Sequence, residues 1–175
     1  MSLETAEKMI DLLLTGEKGM KEYINPHKSP GLIIDFIGGE PLLEIELIDQ
    51  ICSYTINRMI ELNHSWLDKT MFSICSNGTL YHDLEVGRVL NKWKNRLSFS
   101  VTVDGNKELH DSCRIFPDGS PSYDLAVSAA KDWMNKGNYM GSKITIAPAN
   151  VMHTYDAIVH MFELGYYEIN ANCVY

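Results

Sequence analysis

The chain has 175 residues, 15 Lys and Arg against 23 Asp and Glu, and a formal net charge of -8, a balance that excludes broad electrostatic capture of a polyphosphate backbone. No apolar run approaches the roughly 20 residues that span a bilayer, and the amino terminus lacks the basic, apolar and small-residue order of a secretion signal. Nucleic acid and membrane are therefore excluded as partners, a cytoplasmic location is expected, and the length suits one ordinary domain.

The elements alternate between helical and strand periods. Behind Ser2, a helix-capping residue type, Leu3, Ala6, Met9, Ile10, Leu13 and Leu14 recur at helical spacing. The run "LIIDFI" (residues 32–37) reads as a strand buried on both faces, as in parallel sheets. A second helix places Leu47, Ile48, Ile51, Thr55, Met59 and Leu62 on one face, and "MFSIC" (71–75) follows as a strand. Val86, Val89, Leu90 and Trp93 mark a third helix before the strand "LSFSVTV" (97–103). Ala126, Ala129, Ala130, Trp133 and Met134 mark a fourth, capped by Ser122 and closed by Gly137, before "KITIA" (143–147). Tyr155, Ile158, Val159 and Phe162 mark a fifth, closed by Gly165, before "YEINA" (167–171). Polar loops rich in turn formers are expected at 16–30 and 105–121.

A helix followed by four strand–helix units and a last strand implies parallel pairing with right-handed crossovers. The fold class is α/β: a partial TIM-like (β/α) barrel or open curved parallel sheet, about five strands flanked by helices. Functional residues in such folds collect at the carboxyl ends of the strands. Just past the strands lie "GGEP" (38–41), "SNGT" (76–79), "DGN" (104–106), "PAN" (148–150) and "NCVY" (172–175). Two adjacent glycines allow positive φ and close approach of backbone carbonyls, and Glu40 adds a negative charge beside them, a combination suited to a cation. The plainer alternative has Glu40 capping the next helix and Pro41 beginning it. Asp104 with Gly105 and Asn77 with Gly78 are also ordinary turn pairs, and Arg114 is equally at home as an exposed loop side chain.

The four cysteines, Cys52, Cys75, Cys113 and Cys173, show no zinc or cluster spacing and read as reduced thiols, with Cys52, Cys75 and Cys173 expected in the core. The six histidines show no metal-binding spacing, so no metal ligand is assigned.

"FIGGEPLL" resembles the GGE motif of radical SAM enzymes, and "SNGTL", "FSVTVDGNKELHDSCR" and "KITIAPANV" follow in the order of that family. The resemblance covers nearly the whole chain and points in particular to radical SAM maturases of ribosomal peptides and to sulfatase-maturing enzymes. It implies that Gly38, Gly39 and Glu40 hold the methionine amine of S-adenosylmethionine (AdoMet). It further implies that Ser76, Asn77, Ser100 and Asp104 lie near the ribose and methionine parts. Arg114 would hold the methionine carboxylate, and adenine would pack near Ile146, Ala147 and Pro148, with Val151 beside them.

The chain departs from the family in lacking CxxxCxxC, the three thiolates that hold a [4Fe-4S] cluster. We therefore expect residues 1–175 to form a single partial radical SAM core domain, an internal piece with residues 1–3 as a short leader. The first barrel strand, the cluster loop and a carboxyl-terminal extension would lie elsewhere. The function implied by the resemblance is reductive cleavage of AdoMet to a 5'-deoxyadenosyl radical that modifies a ribosomally made peptide, through a thioether or residue oxidation, with an electron donor as a further partner. Residues 1–175 alone would be inactive and would dimerise through an exposed strand edge. The alternatives are an activase of a glycyl-radical enzyme and a non-catalytic α/β interaction module.

Overall fold

The computed structural model describes residues 1–17 and 29–173. Five strands, β1 (Leu32–Phe36), β2 (Thr70–Ser76), β3 (Leu97–Val101), β4 (Gly141–Ile146) and β5 (Glu168–Cys173), form one sheet in chain order, every pair parallel. The helices are α1 (Leu3–Thr15), α2 (Ile45–Glu61), α3 (Leu84–Trp93), α4 (Lys107–Cys113), α5 (Tyr123–Asn135) and α6 (Thr154–Glu163). When successive strands are neighbours and crossovers are right-handed, the helices stack on one face. The sheet curls away from them into a half-barrel.

Strand periodicity shows this directly. Phe72 and Ile74 of β2, Leu97, Phe99 and Val101 of β3 and Ile144 of β4 are buried in one core with Ile48 and Cys52 of α2, Val86, Val89 and Leu90 of α3, and Ala126, Ala129, Ala130 and Trp133 of α5. Each fully buried large side chain contributes about 1.5–3 kcal/mol relative to exposure. A smaller cluster joins Ala6, Ile10 and Leu14 of α1 to Ile51, Met59 and Trp66. Ser2 caps α1 by accepting from the Thr5 N–H at 3.3 Å.

Several expectations are corrected. β1 is not buried on both faces: Ile33 is 70% exposed and Ile37, just past its end, 63%, because β1 ends the sheet and, among the described residues, no helix covers the concave side. Cys52 is in the core, but Cys75 is only partly buried and Cys173 is exposed, since β5 also ends the sheet and has one shielded side at most. Met9 lies off the packing face of α1, and α6 packs through Ala157 and Met161 while Tyr155, Val159 and Phe162 are turned outward. The polar segment 105–121 contains α4, whose Asn106 cap accepts from the Leu109 N–H at 2.9 Å. Gly105 has φ 116°, and a Cβ there would meet that of Ala157 at 2.8 Å, so glycine permits both the turn and the approach of α6. Ser122 stands at the start of α5 but makes no capping bond with its side chain. Asp111 does so through space, accepting from the N–H groups of Ser122 and Tyr123 at 3.0 and 2.9 Å. The expected loop at 16–30 falls largely on residues 18–28, outside the described residues.

Candidate functional site

At the exit of β1 the backbone turns through Gly38 (φ 97°) and Gly39 (φ 51°), both in the left-handed region that only glycine enters freely. A Cβ on either would meet nothing within 4 Å, so the backbone here borders open space. Glu40 then returns to extended geometry, and Pro41 opens a 3-10 turn (Pro41–Glu44) anchored by buried Pro41 and Leu42. Glu40 Oε1 accepts from the Leu42 N–H at 3.0 Å and the Ser76 hydroxyl at 2.8 Å, while Oε2 accepts from the Asn77 N–H at 2.8 Å. The capping geometry is therefore real. The same carboxylate also bolts the end of β1 to the end of β2, using three of about four acceptor positions.

Ser76 is buried, its hydroxyl donating to Glu40 and accepting from the Gly78 N–H at 2.9 Å. Asn77 Oδ1 takes both the N–H and the hydroxyl of Thr79, at 2.9 and 2.8 Å, which closes the turn. These two side chains hold the loop and Glu40 in place.

The second cluster forms where β3 and β4 separate. Their ladder has a single register pair, Ser100 with Gly141. Further on, side chains take over: the Val103 N–H donates to Ser142 Oγ at 3.1 Å and the Thr145 N–H to Asp104 Oδ1 at 3.0 Å. Asp104 is 4% exposed, and its Oδ2 accepts from Arg114 Nε. A desolvated carboxylate requires such pairing. Arg114 is thus tethered through Nε, while its two terminal nitrogens make no bond among the described residues, which leaves a fork able to receive a carboxylate.

Ser100 Oγ donates to the Ile74 carbonyl at 3.3 Å on the concave face. There a cavity of about 420 Å³ is bordered by Ile37, Ser73, Cys75, Ser100, Lys143 and Asn172 among others. Its predominantly polar lining contrasts with the aliphatic layers that fill an ordinary TIM-type barrel. At the exit of β4, Ile146 packs partly on the core and Ala147 lies half-buried. Asn150 fixes this turn, accepting from the Ala147 N–H at 2.7 Å and donating to the Thr145 carbonyl at 2.9 Å. Glu40, Ser76 and Asn77 thus form one bonded group, and Asp104 and Arg114 a second that reaches Thr145. Ser100 lies on β3, the strand that leads to Asp104, and bonds to β2, the strand that leads to Ser76 and Asn77. Reading the sequence passes over Asn150, His110 and Asp111, although "HDSCR" and "PAN" contain them. Their partners lie on other elements or in the local backbone, which no spacing announces.

The thiols do not gather. Cys52 is buried in α2, its pKa pushed far up by burial and then by Asp49. Cys113 at the end of α4 is shifted up by burial and by Asp104. Among the described residues no three His, Cys, Asp or Glu side chains are placed to hold a metal ion. These residues do not fit a [4Fe-4S] cluster.

No family model matches the chain. Solved structures of anSMEcpe, an anaerobic sulfatase-maturating enzyme of the radical SAM kind, do match in fold. Native anSMEcpe with bound AdoMet and Kp18Cys peptide, and native anSMEcpe with bound AdoMet, each align with TM-score 0.73 at 18% identity. The chain carries the same partial-barrel fold. Each alignment covers 99% of this chain and 43% of anSMEcpe. An uncharacterized protein of Methanocaldococcus jannaschii is 28% identical over 123 residues, 70% of this chain and 35% of that protein. The chain thus spans less than half the length of either. No helix among the described residues is long and apolar enough to cross a membrane.

Proposed function

We propose that this chain is the AdoMet-positioning part of a radical SAM enzyme that modifies a peptide. The observation that carries the reading is that two differently charged groups follow strands of one parallel sheet at the same end: the Gly38–Gly39–Glu40 turn past β1, bonded to the exit of β2, and the Arg114 fork, held by Asp104 past β3. An amino acid's ammonium and carboxylate are the natural occupants of such a pair. The fold shared with AdoMet- and peptide-bound anSMEcpe supports the same reading.

In this account the carbonyls around Gly38 and Gly39, with the remaining acceptor position of Glu40, receive the methionine ammonium. Arg114 receives the carboxylate, and Asp104 holds Arg114 in place. Ser100 and the free amide of Asn77 lie toward the ribose, with Ser76 serving through Glu40. The half-buried turn at Ile146 and Ala147 receives adenine. The concave cavity, with Asp35, Lys143 and Glu168 on its walls, accommodates a ribosomally made peptide.

The described residues offer no ligand set for the iron–sulfur cluster that such chemistry would use, so residues 1–175 by themselves are expected to bind AdoMet weakly and not to turn over. The test is anaerobic reconstitution of the encoded protein that contains these residues, with iron, sulfide, a reductant and AdoMet. Formation of 5'-deoxyadenosine is expected. A protein that gives neither cluster absorbance nor this product would leave the non-catalytic α/β module as the better reading.

A further inference from the structure

The geometry points to His110 as the residue that positions Arg114, through a one-way chain of hydrogen bonds that joins the backbone of Asp104 to the backbone of Arg114. This deepens the AdoMet reading and rests on it only for the consequence at the substrate.

His110 lies on α4 and is 1% exposed. Its Nδ1 faces the Asp104 N–H at 3.2 Å and can only accept there. Its Nε2 lies 3.1 Å from Ser122 Oγ. Ser122 has a single hydroxyl proton, and that proton is committed to the Arg114 carbonyl at 2.7 Å. Ser122 Oγ must therefore accept from His110, which places the imidazole proton on Nε2. Every bond points the same way: Asp104 N–H to His110, His110 to Ser122, Ser122 to the Arg114 carbonyl. A second strut runs beside it, since Asp111 next to His110 binds the first N–H groups of α5, and the Arg114 N–H donates to the His110 carbonyl at 2.8 Å. The backbones of Asp104 and Arg114 are thus held at a set separation before their side chains pair.

Only the neutral imidazole fits. Protonation would set an Nδ1–H against the Asp104 N–H. The charged and titratable groups facing the ring are Asp104 from the exit of β3, Asp111, Cys113 and Arg114 from its own segment, and Tyr123 of α5, whose ring centroid is 5.7 Å away. Tyr123 in turn bonds His160 of α6 at 2.7 Å. Burial is the largest influence and holds the His110 pKa below its ordinary value, helped by Arg114 and opposed by Asp104 and Asp111.

Two measurements test this. In the 175-residue chain, nitrogen-15 NMR should show His110 as the neutral Nε2–H tautomer, with its titration displaced below that of an ordinary histidine. Solvent exchange of the Arg114 Nε–H should quicken by about tenfold or more in His110→Leu and in Ser122→Ala, with the Trp133 indole N–H unchanged as an internal control for folding. The conservative His110→Asn, which retains an acceptor near the Nδ1 position, should recover part of that protection. An Nδ1–H tautomer, titration near the ordinary histidine pKa, or unaltered Arg114 exchange would overturn the inference. In the reconstituted protein, Ser122→Ala should raise KM for AdoMet by about tenfold with kcat within about twofold, as for a residue acting through a binding group. If Arg114→Ala leaves KM unchanged while the exchange results hold, the AdoMet assignment of Arg114 falls and the positioning role of His110 stands.

Discussion

Glu40 and Asp104 occupy matching places, each a carboxylate just past a strand that reaches across to the next strand's exit. Glu40 collects three donors and Asp104 collects the Thr145 N–H and Arg114. The pairs differ in burial, and so should their energetics. Asp104 is 4% exposed, so Asp104→Ala should cost about 3 kcal/mol by leaving Arg114 and the Thr145 N–H without a partner. Glu40→Ala, at a more open position, should cost about 1–2 kcal/mol, as for loss of a helix cap. Urea unfolding of each variant measures both, and equal costs would contradict the contrast. A different kind of buried group gives the opposite sign. The Tyr166 hydroxyl finds no partner among the described residues, and burial raises its pKa well beyond the usual tyrosine range. Tyr166→Phe should therefore leave stability unchanged or raise it by about 1 kcal/mol, and a clear loss in the urea midpoint would show that the hydroxyl is satisfied. At this scale the sequence discloses residue types but not their partners. GGEP and the DG and NG pairs are visible as turn chemistry, whereas the bonds from Glu40 to Ser76 and Asn77 join residues on different strands.

The five strands and five of the six helices were legible in order because their apolar periods are long and regular, and phase was the weaker signal. Tyr155, Val159 and Phe162 share one helical stripe, yet α6 buries Ala157 and Met161 instead. A small residue beside Gly105 allows closer approach than an aromatic one would, and hydrophobicity alone does not disclose this. Phe162→Ser should accordingly change stability by less than about 0.5 kcal/mol, as surface substitutions do. Met161→Ala should cost about 2–5 kcal/mol, and thermal or urea unfolding that reversed this order would contradict the packing described. The helix α4 escaped notice because it is only seven residues long and mostly polar. It nonetheless brings a pH dependence. Burial lowers the pKa of His110, and likewise that of His64. The unfolded chain therefore takes up protons at about pH 6.5 while the folded chain does not. Stability should be full above that pH and decline as pH falls below it, with His110→Leu reducing the slope. A urea midpoint that rose on acidification from about pH 7 to 5.5 would be the wrong sign.

The molecule as a whole is a sheet dressed on one face. Strands in chain order with right-handed crossovers put the helices outside and leave a polar concave wall. The parallel order and the covering helices were implied by the repeated strand–helix pattern; the polar concave wall was not. That β1 ends the sheet was expected with the missing first barrel strand, but the exposure of Ile33, Ile37 and Cys173 was not, because exposure depends on what lies beside a strand and not on its own residues. Among the described residues no strand pairs with the outer edge of β1, which bears on self-association. The proposed dimer predicts that scattering mass increases with concentration and that a charged substitution such as Ile33→Lys suppresses the increase; a constant monomer mass would remove that proposal. We propose that the Gly38–Gly39–Glu40 turn and the Arg114 fork, each tied to a carboxylate that bonds across to the next strand's exit, receive the two ends of one amino acid. The measurement that meets this proposal most directly is the AdoMet dependence of 5'-deoxyadenosine formation by the reconstituted protein, wild type against Arg114→Ala. We predict product from the wild type and a KM raised about 10–100-fold in the variant, the loss expected for one charge-assisted contact. Product formation with an unchanged KM would contradict the site described here.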